Sequence, residues 1–162
     1  MCIRDSNAFI LSGDVHISDL TVKDFFYNSS NDTGYGFVCA SSLDSDRSPY
    51  LERVTVLTKG SVTSGTDPYG FAQGDAGRGA KLDGALFASA GLEAAILFNE
   101  ATFIVPNSVG LLLTNGVRVE WLNSFIYFAN EGIKGVQGAT GRSGSGQTRL
   151  KLSGVSGTFS SS

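Results

Sequence analysis

Histidine occurs once in this chain of 162 residues, cysteine twice, and charged residues make up only 17 % of it; each scarcity excludes a class of function. With His16 as the sole histidine, a Ser/His/Asp triad would have to use it. His16 alternates with Val15 and Ile17, which points its ring to the outer face of a strand, and no G-x-S-x-G elbow is present. Metal sites built on histidine and cysteine clusters lack their ligands, and no cofactor is expected. Two cysteines make no disulfide framework, and Cys39, at the end of an apolar strand, reads as a small buried residue. Lys+Arg number 12 against 15 Asp+Glu, without the basic cluster that neutralising phosphates requires, so no nucleic-acid partner is expected. No run of 18 apolar residues occurs, which argues against membrane insertion; the greasiest stretch, Ala94 to Val119, is broken by Asn99, Glu100, Pro106, Asn107, Thr114 and Asn115.

What the chain does contain is a seven-residue alternation, present four times: Ile17-Ser-Asp-Leu-Thr-Val-Lys23, Leu51-Glu-Arg-Val-Thr-Val-Leu57, Phe98-Asn-Glu-Ala-Thr-Phe-Ile104 and Leu122-Asn-Ser-Phe-Ile-Tyr-Phe128. Apolar groups fall at the first, fourth and sixth positions, and the period-2 tail marks a strand with one buried face. The steps of 34, 47 and 24 residues fit a unit of about 24 with one insertion and one degenerate copy between 57 and 98. At that offset Pro106 to Leu113 falls opposite Asn130 to Gln137, so a second strand follows each first one. Gly34 to Cys39 and Gly79 to Asp83 read as the same strand in earlier units. A third strand, Glu93 to Leu97 or Gly116 to Glu120, leads into the next heptad.

Three short strands and their corners, at roughly 3.3 Å per residue, can close into one turn of a coil whose neighbours stack about 4.8 Å apart. The expected fold class is therefore all-β: a single-stranded right-handed parallel β-helix, or β-solenoid, of about five turns with about three short strands per turn. The competing fold is an antiparallel sandwich, which does not require equivalent residues at equal spacing. If the coil is right, Leu20, Val54, Ala101 and Phe125 line one column, and Asn99 and Asn123 either stack as an amide ladder or are ordinary turn asparagines. Trp121 shares parity with Val117 and Val119 and is core if their face is interior, or an interface residue if it is exterior.

The expected organisation is residues 1–6 as an artefact-like leader, 7–137 as the β-helix segment truncated upstream, 138–147 as a Gly/Ser linker and 148–162 as the opening of a further β module. Met1 to Ser6 resembles translated sequencing adapter found at the start of many metagenomic reading frames, and is left out of the fold argument.

Several motifs have plain structural explanations. Asp32-Thr-Gly34 matches an aspartic-protease triplet, but that chemistry needs two carboxylates across a dyad and a turn before the Tyr35 strand accounts for one copy. Asn28-Ser-Ser30 and Asn31-Asp-Thr33 are sequons in a polar loop. Gly74 to Lys81 has the wrong spacing for a phosphate-binding loop, and Gly141 to Gly146 lacks the preceding strand of a dinucleotide fingerprint. Carboxylate chemistry is the one enzymatic option left, because glycoside hydrolysis needs two carboxyls roughly 5 to 10 Å apart. Its candidates are Asp44 and Asp46 in one inserted loop and Asp67 and Asp75 in another, accompanied by Arg47, Tyr69, Phe71 and Arg78. Of these, Asp67, Tyr69, Asp75 and Arg78 form the candidate glycan-binding set, since an aromatic ring beside carboxylates and an arginine suits a sugar. Turn formation by the aspartates and flank coverage by the aromatics is the simpler explanation, and no catalytic residue is assigned.

Ile17 to Phe26, Ser48-Pro-Tyr50 with Val54-Thr-Val56, Gly60 to Thr63, Gly74 to Ala80, Gly116 to Asn123 with Tyr127-Phe-Ala129, and Gly146 to Leu150 together resemble tail-fibre or tailspike-like virion proteins of marine phages infecting cyanobacteria. The resemblance spans nearly all of residues 9 to 159. It implies a right-handed β-helix serving as the shaft or receptor-facing segment of a commonly homotrimeric fibre, located in the virion tail, assembled in the host cytoplasm and able to meet host surface polysaccharide. A carbohydrate-active β-helix enzyme such as a polysaccharide depolymerase or lyase, and a bacterial surface adhesin, are the alternatives.

Overall fold

The computed structural model describes residues 7–11, 15–28, 31–39, 49–59, 75–84, 95–135, 140–143, 149–153 and 156–157. Among these every regular element is a strand. Three sheets carry the architecture. Sheet I pairs β1 (Phe9–Leu11), β5 (Tyr35–Cys39), β9 (Arg78–Asp83), β12 (Val109–Thr114) and β15 (Glu131–Gly135) in that order. Sheet II runs β2 (His16–Ser18), β6 (Tyr50–Glu52), β10 (Ala95–Asn99), β13 (Arg118–Leu122) and β16 (Thr140–Ser143), and sheet III runs β3 (Thr21–Lys23), β7 (Thr55–Leu57), β11 (Thr102–Ile104) and β14 (Phe125–Tyr127). Every one of these pairings is parallel. Parallel neighbours need a long connection between them, and here that connection is the chain's passage through the other two sheets. The remaining pairings are antiparallel: β4 (Phe26–Tyr27) with β8 (Asp75–Ala76), and β16 with β17 (Arg149–Ser153), which in turn pairs β18 (Ser156–Gly157). The all-β, parallel expectation is met, and the antiparallel sandwich is not what forms. Residues 140–143, expected from composition to lie in a linker, instead extend sheet II as β16.

The heptads set the interior. The first positions of three heptads, Ile17, Leu51 and Phe98, stack across sheet II and are continued by Trp121, one residue before the fourth heptad begins. Their sixth positions, Val22, Val56 and Phe103, stack across sheet III and are continued by Ile126, one residue before the sixth position of the fourth heptad, Tyr127. Leu51, Val56, Phe98 and Phe103 are fully buried. Trp121 is only 6 % exposed, with its ring centroid 5.3 Å from that of Phe98 and 5.0 Å from that of Phe103, so the valine face to which it belongs is interior. Phe98 also meets Phe37 of sheet I edge-on at 6.4 Å, which ties all three sheets into one aromatic core.

The corner between sheets II and III falls at the third position of the first three heptads and at the second position, Asn123, of the fourth. Asp19, Arg53, Glu100 and Asn123 all have φ between 48° and 57°, in the left-handed region that non-glycine residues enter at a cost of roughly 1–2 kcal/mol each. Continued pairing offsets that cost: Asp19, Arg53 and Glu100 donate their main-chain N–H to the carbonyls of Glu52, Asn99 and Leu122 in the next unit, at 2.9–3.1 Å. One residue further on, the carbonyls of Leu20, Val54 and Ala101 accept from Thr55, Thr102 and Phe125 at 2.8–2.9 Å. The ladder therefore turns the corner without a break.

This register corrects three expectations. The 47-residue step holds no degenerate copy, because Leu51 pairs directly with Phe98 and Val56 with Phe103. The step from the third heptad to the fourth is 23 residues rather than 24 in sheets II and III, since Phe98 faces Trp121 and Thr102 faces Phe125. It is 22 between β12 and β15 in sheet I, with Leu111 facing Ile133, and 22 between β13 and β16 in sheet II, with Arg118 facing Thr140. The fourth column member is accordingly Ser124, whose hydroxyl accepts from Ala101 N at 2.8 Å and donates to Leu122 O at 2.6 Å, and Phe125 faces outward. Asn123 does donate to Asn99 Oδ1 at 3.3 Å, but it stands over Glu100, so the pair is one diagonal bond rather than a ladder of equivalents.

A column of glycines, Gly36, Gly79, Gly110 and Gly132, occupies one position across sheet I, flanked in register by Tyr35–Arg78 and Phe37–Ala80 and then by Val109–Glu131 and Leu111–Ile133. A Cβ on Gly79 would sit 2.1 Å from the Gly110 carbonyl and 2.5 Å from Phe103; one on Gly110 would sit 2.5 Å from the Gly132 carbonyl and 2.7 Å from Ile126. Absence of side chains there lets sheet I close against the large inward residues of sheet III.

Candidate functional site

In the chain between β3 and β5, β4 and a turn at residues 31–33 fold back beside the starts of β5 and β9. Asn28 and Thr33 close the turn with paired main-chain bonds of 2.9 and 3.2 Å, and Asp32 takes a φ of 50° within it. Gly34 follows with a φ of 96°, where a Cβ would collide with the Phe26 carbonyl at 2.0 Å. This is the Asp-Thr-Gly triplet, and it is a turn as expected. The turn aims Asp32 at its neighbours: Tyr27 and Tyr35 both donate their phenol O–H to Oδ1, at 3.0 and 2.9 Å, and Lys81 Nζ donates to Oδ2 at 2.5 Å.

Arg78, opposite Tyr35 in the β5–β9 register, completes the group. Its Nη1 donates to the Tyr35 hydroxyl at 2.9 Å and lies 4.0 Å from Asp32 Oδ1, and its guanidinium carbon lies 3.5 Å from the centre of the Tyr27 ring. Tyr35 is fully buried; burial first, and the Asp32 carboxylate second, push its phenol well above the ordinary tyrosine value. Burial acts to raise the Asp32 carboxyl, but hydrogen bonds from Lys81, Tyr35 and Tyr27 outweigh it and hold the group below the usual aspartate range. One carboxylate thus gathers two phenols and a lysine, with an arginine stacked on one of the phenol rings. These contacts fasten the chain between β4 and β5 to β9, across 43 to 49 residues of sequence.

Of the candidate glycan residues, Asp67 and Tyr69 lie outside the described residues, as do Asp44, Asp46, Arg47 and Phe71. The main chain of Asp75 is in β8, opposite Tyr27, so it belongs to the same neighbourhood as Arg78. Arg78 itself is committed: one guanidinium face lies on Tyr27 and an N–H is held by Tyr35. The two residues that the motif missed, Tyr27 and Asp32, sit 46 to 51 positions upstream of Arg78, and no local spacing could have linked them.

His16 lies on the outer face of sheet II, exposed as expected. Its ring stacks on Tyr50 at 4.7 Å and 9°, and its Nε2 is 3.4 Å from Glu52. Cys39 is fully buried, and that burial pushes its thiol up to about 12. Among the described residues no group of three or more His, Cys, Asp or Glu could hold a metal ion, and no helix is long and apolar enough to cross a membrane.

A second surface became visible only with the register. The outward residues of sheet III form two rows, Thr21–Thr55–Thr102–Phe125 and Lys23–Leu57–Ile104–Tyr127. Along them the face changes from polar to aromatic. Phe125 is 57 % exposed, Tyr127 45 % and Phe128 74 %. The Phe125 and Tyr127 rings lie nearly parallel, 22° apart with centroids at 6.0 Å, and Phe128 adjoins Tyr127 at 6.2 Å. No family model matches this chain, and neither a curated protein nor a solved structure gives a match.

Proposed function

We propose that this chain is a stretch of right-handed, single-stranded parallel β-helix acting as the shaft or receptor-facing segment of a phage tail fibre or tailspike, in contact with host surface glycans. The observation that carries the reading is the register: in all three sheets, strands from successive units pair in parallel with the same neighbours. A chain that passes through three sheets in turn and returns one strand further along each time winds as a coil, and right-handed crossovers are the general rule. Ladder hydrogen bonds then all run along one axis, which makes a stiff rod suited to a mechanical role. The phrases that resemble phage virion proteins supply the context, including assembly as a homotrimer in the virion tail. The work assigned to the protein is structural and adhesive, with no catalytic step.

Sequencing outward from the gene tests this. Flanking genes for baseplate, tail and other virion proteins are the expected result. Flanking genes for cell-envelope export would overturn the phage assignment in favour of a bacterial surface adhesin.

A further inference from the structure

We infer that the aromatic outer face of sheet III, formed by Phe125, Tyr127 and Phe128, is a stacking platform for an uncharged carbohydrate chain. The inference deepens the proposed glycan contact by giving it a place and a ligand class, and to that extent it rests on that reading.

Three observations carry it. The first is shape. Phe125 and Tyr127 alternate on one face of β14, with Ile126 between them packed inward toward Gly110, and their rings differ by only 22°. Such rings form one flat surface along the strand, and the C–H face of a pyranose lies well on a flat aromatic surface while its hydroxyls stay at the rim.

The second is the lack of cations at this face among the described residues. The strands β11 and β14 read Thr-Phe-Ile and Phe-Ile-Tyr, without an ionised group. Lys23, in the same row as Tyr127, lies three strands away, about 14 Å at the usual strand spacing. Lys59 and Lys134 already face carboxylates, Asp24 at 3.7 Å and Glu131 at 2.9 Å. Polar neighbours are mostly hydroxyls and amides: Thr102 opposite Phe125, exposed Asn107 whose main-chain N–H donates to Phe128 O, and exposed Asn123 two residues before Phe125. The ionisable group beneath Asn123, Glu100, is a carboxylate, which repels an acidic polymer. Neutral donors and acceptors around an aromatic surface match a hydroxyl-rich neutral ligand, and give an acidic polysaccharide nothing to pair with.

The third is size. At about 200 Å² for an aromatic side chain, the three rings expose roughly 350 Å² at the fractions given above. That falls in the range of a functional surface patch and well short of the roughly 800 Å² per partner that a stable protein interface buries. A few sugar rings cover it, whereas a second copy of the chain would leave most of its own contact to be made elsewhere.

The test uses the 162-residue chain in affinity electrophoresis through gels containing dextran, mannan, galactan, mixed-linkage β-glucan or polygalacturonate. Expected is retardation by at least one neutral polymer and none by polygalacturonate, with at least a tenfold loss of affinity in Phe125→Ala/Tyr127→Ala and retention in Tyr127→Phe, which keeps the ring. Circular dichroism and the urea midpoint of the double variant should match those of the parent, because both side chains are on the outside. Migration unaffected by all four neutral polymers overturns the inference, as does equal retardation of the double variant. Self-association in sedimentation velocity that the double variant abolishes would also overturn it, and would give the face to a second copy. The outcome is independent of the gene neighbourhood: a platform that fails leaves tail genes where they are, and an adhesin neighbourhood leaves measured binding intact.

Discussion

Alanine placed at Gly79 and at Gly132 should have opposite effects, although both residues belong to one column of sheet I. At Gly79 a Cβ would lie 2.1 Å from the Gly110 carbonyl oxygen, and main chain held in a parallel ladder on both sides cannot retreat by the ångström or so needed. It would also lie 2.5 Å from Phe103, itself locked against Phe98 and Trp121. Overpacking of this kind costs about 3 kcal/mol at the upper end of the usual range, from which the reduced freedom of the unfolded chain recovers about 0.5–1 kcal/mol. The net loss is about 2 kcal/mol. At Gly132 nothing lies within 4 Å of the added methyl, so only the unfolded-state gain remains, about 0.5 kcal/mol. With a urea m-value of about 2 kcal/mol/M, Gly79→Ala should lower the midpoint by about 1 M and Gly132→Ala should raise it slightly. Gly110→Ala, 2.5 Å from a carbonyl, should fall near Gly79→Ala, and Gly36→Ala, nearest to a Val56 methyl at 2.8 Å, should cost less. Equilibrium urea unfolding followed by the fluorescence of Trp121, the one tryptophan, reads all four. Equal midpoints for Gly79→Ala and Gly132→Ala would refute the close approach of sheets I and III.

Two further outcomes are expected. Trp121→Ala should cost about 3–5 kcal/mol by opening a cavity against Phe98 and Phe103, while Phe125→Ala should change stability by less than about 1 kcal/mol; urea unfolding of the two variants checks the 23-residue register, and the reverse order would contradict it. Asp32 has a native pKa below its unfolded value of about 3.9, so across that window the unfolded state binds more protons, and its contribution is complete at neutral pH and lost as pH falls through the native value. Its side chain is 42 % exposed, which limits the contribution to about 1 kcal/mol. Asp32→Asn should therefore be less stable at pH 7 and show a shallower decline below pH 4, measured by thermal melts across pH; an unchanged acid limb would remove Asp32 from its proposed role as a clasp.

Local periodicity was enough to place strands, because alternation along a chain is itself the consequence of one face being buried: β3, β7 and β11 each bury their middle residue or leave it least exposed, as their heptads require. Solvent exposure of His16 and burial of Cys39 were legible for the same reason. Which residue of one unit lies over which residue of the next was not, since Trp121 and Leu122 are both apolar and only the shared left-handed corner at Asn123 selects between them. That one-residue difference turned Phe125 outward and brought the aromatic surface into being. Likewise Arg78 showed itself in sequence as a free cation beside aspartates, and only the fold brought Tyr27, Asp32 and Tyr35 to it. Composition and alternation are properties of neighbours along the chain, whereas register and side-chain partnership are settled by contacts between units 22 to 49 residues apart, where hydrogen bonding and close packing choose among alignments that hydrophobicity leaves nearly equal.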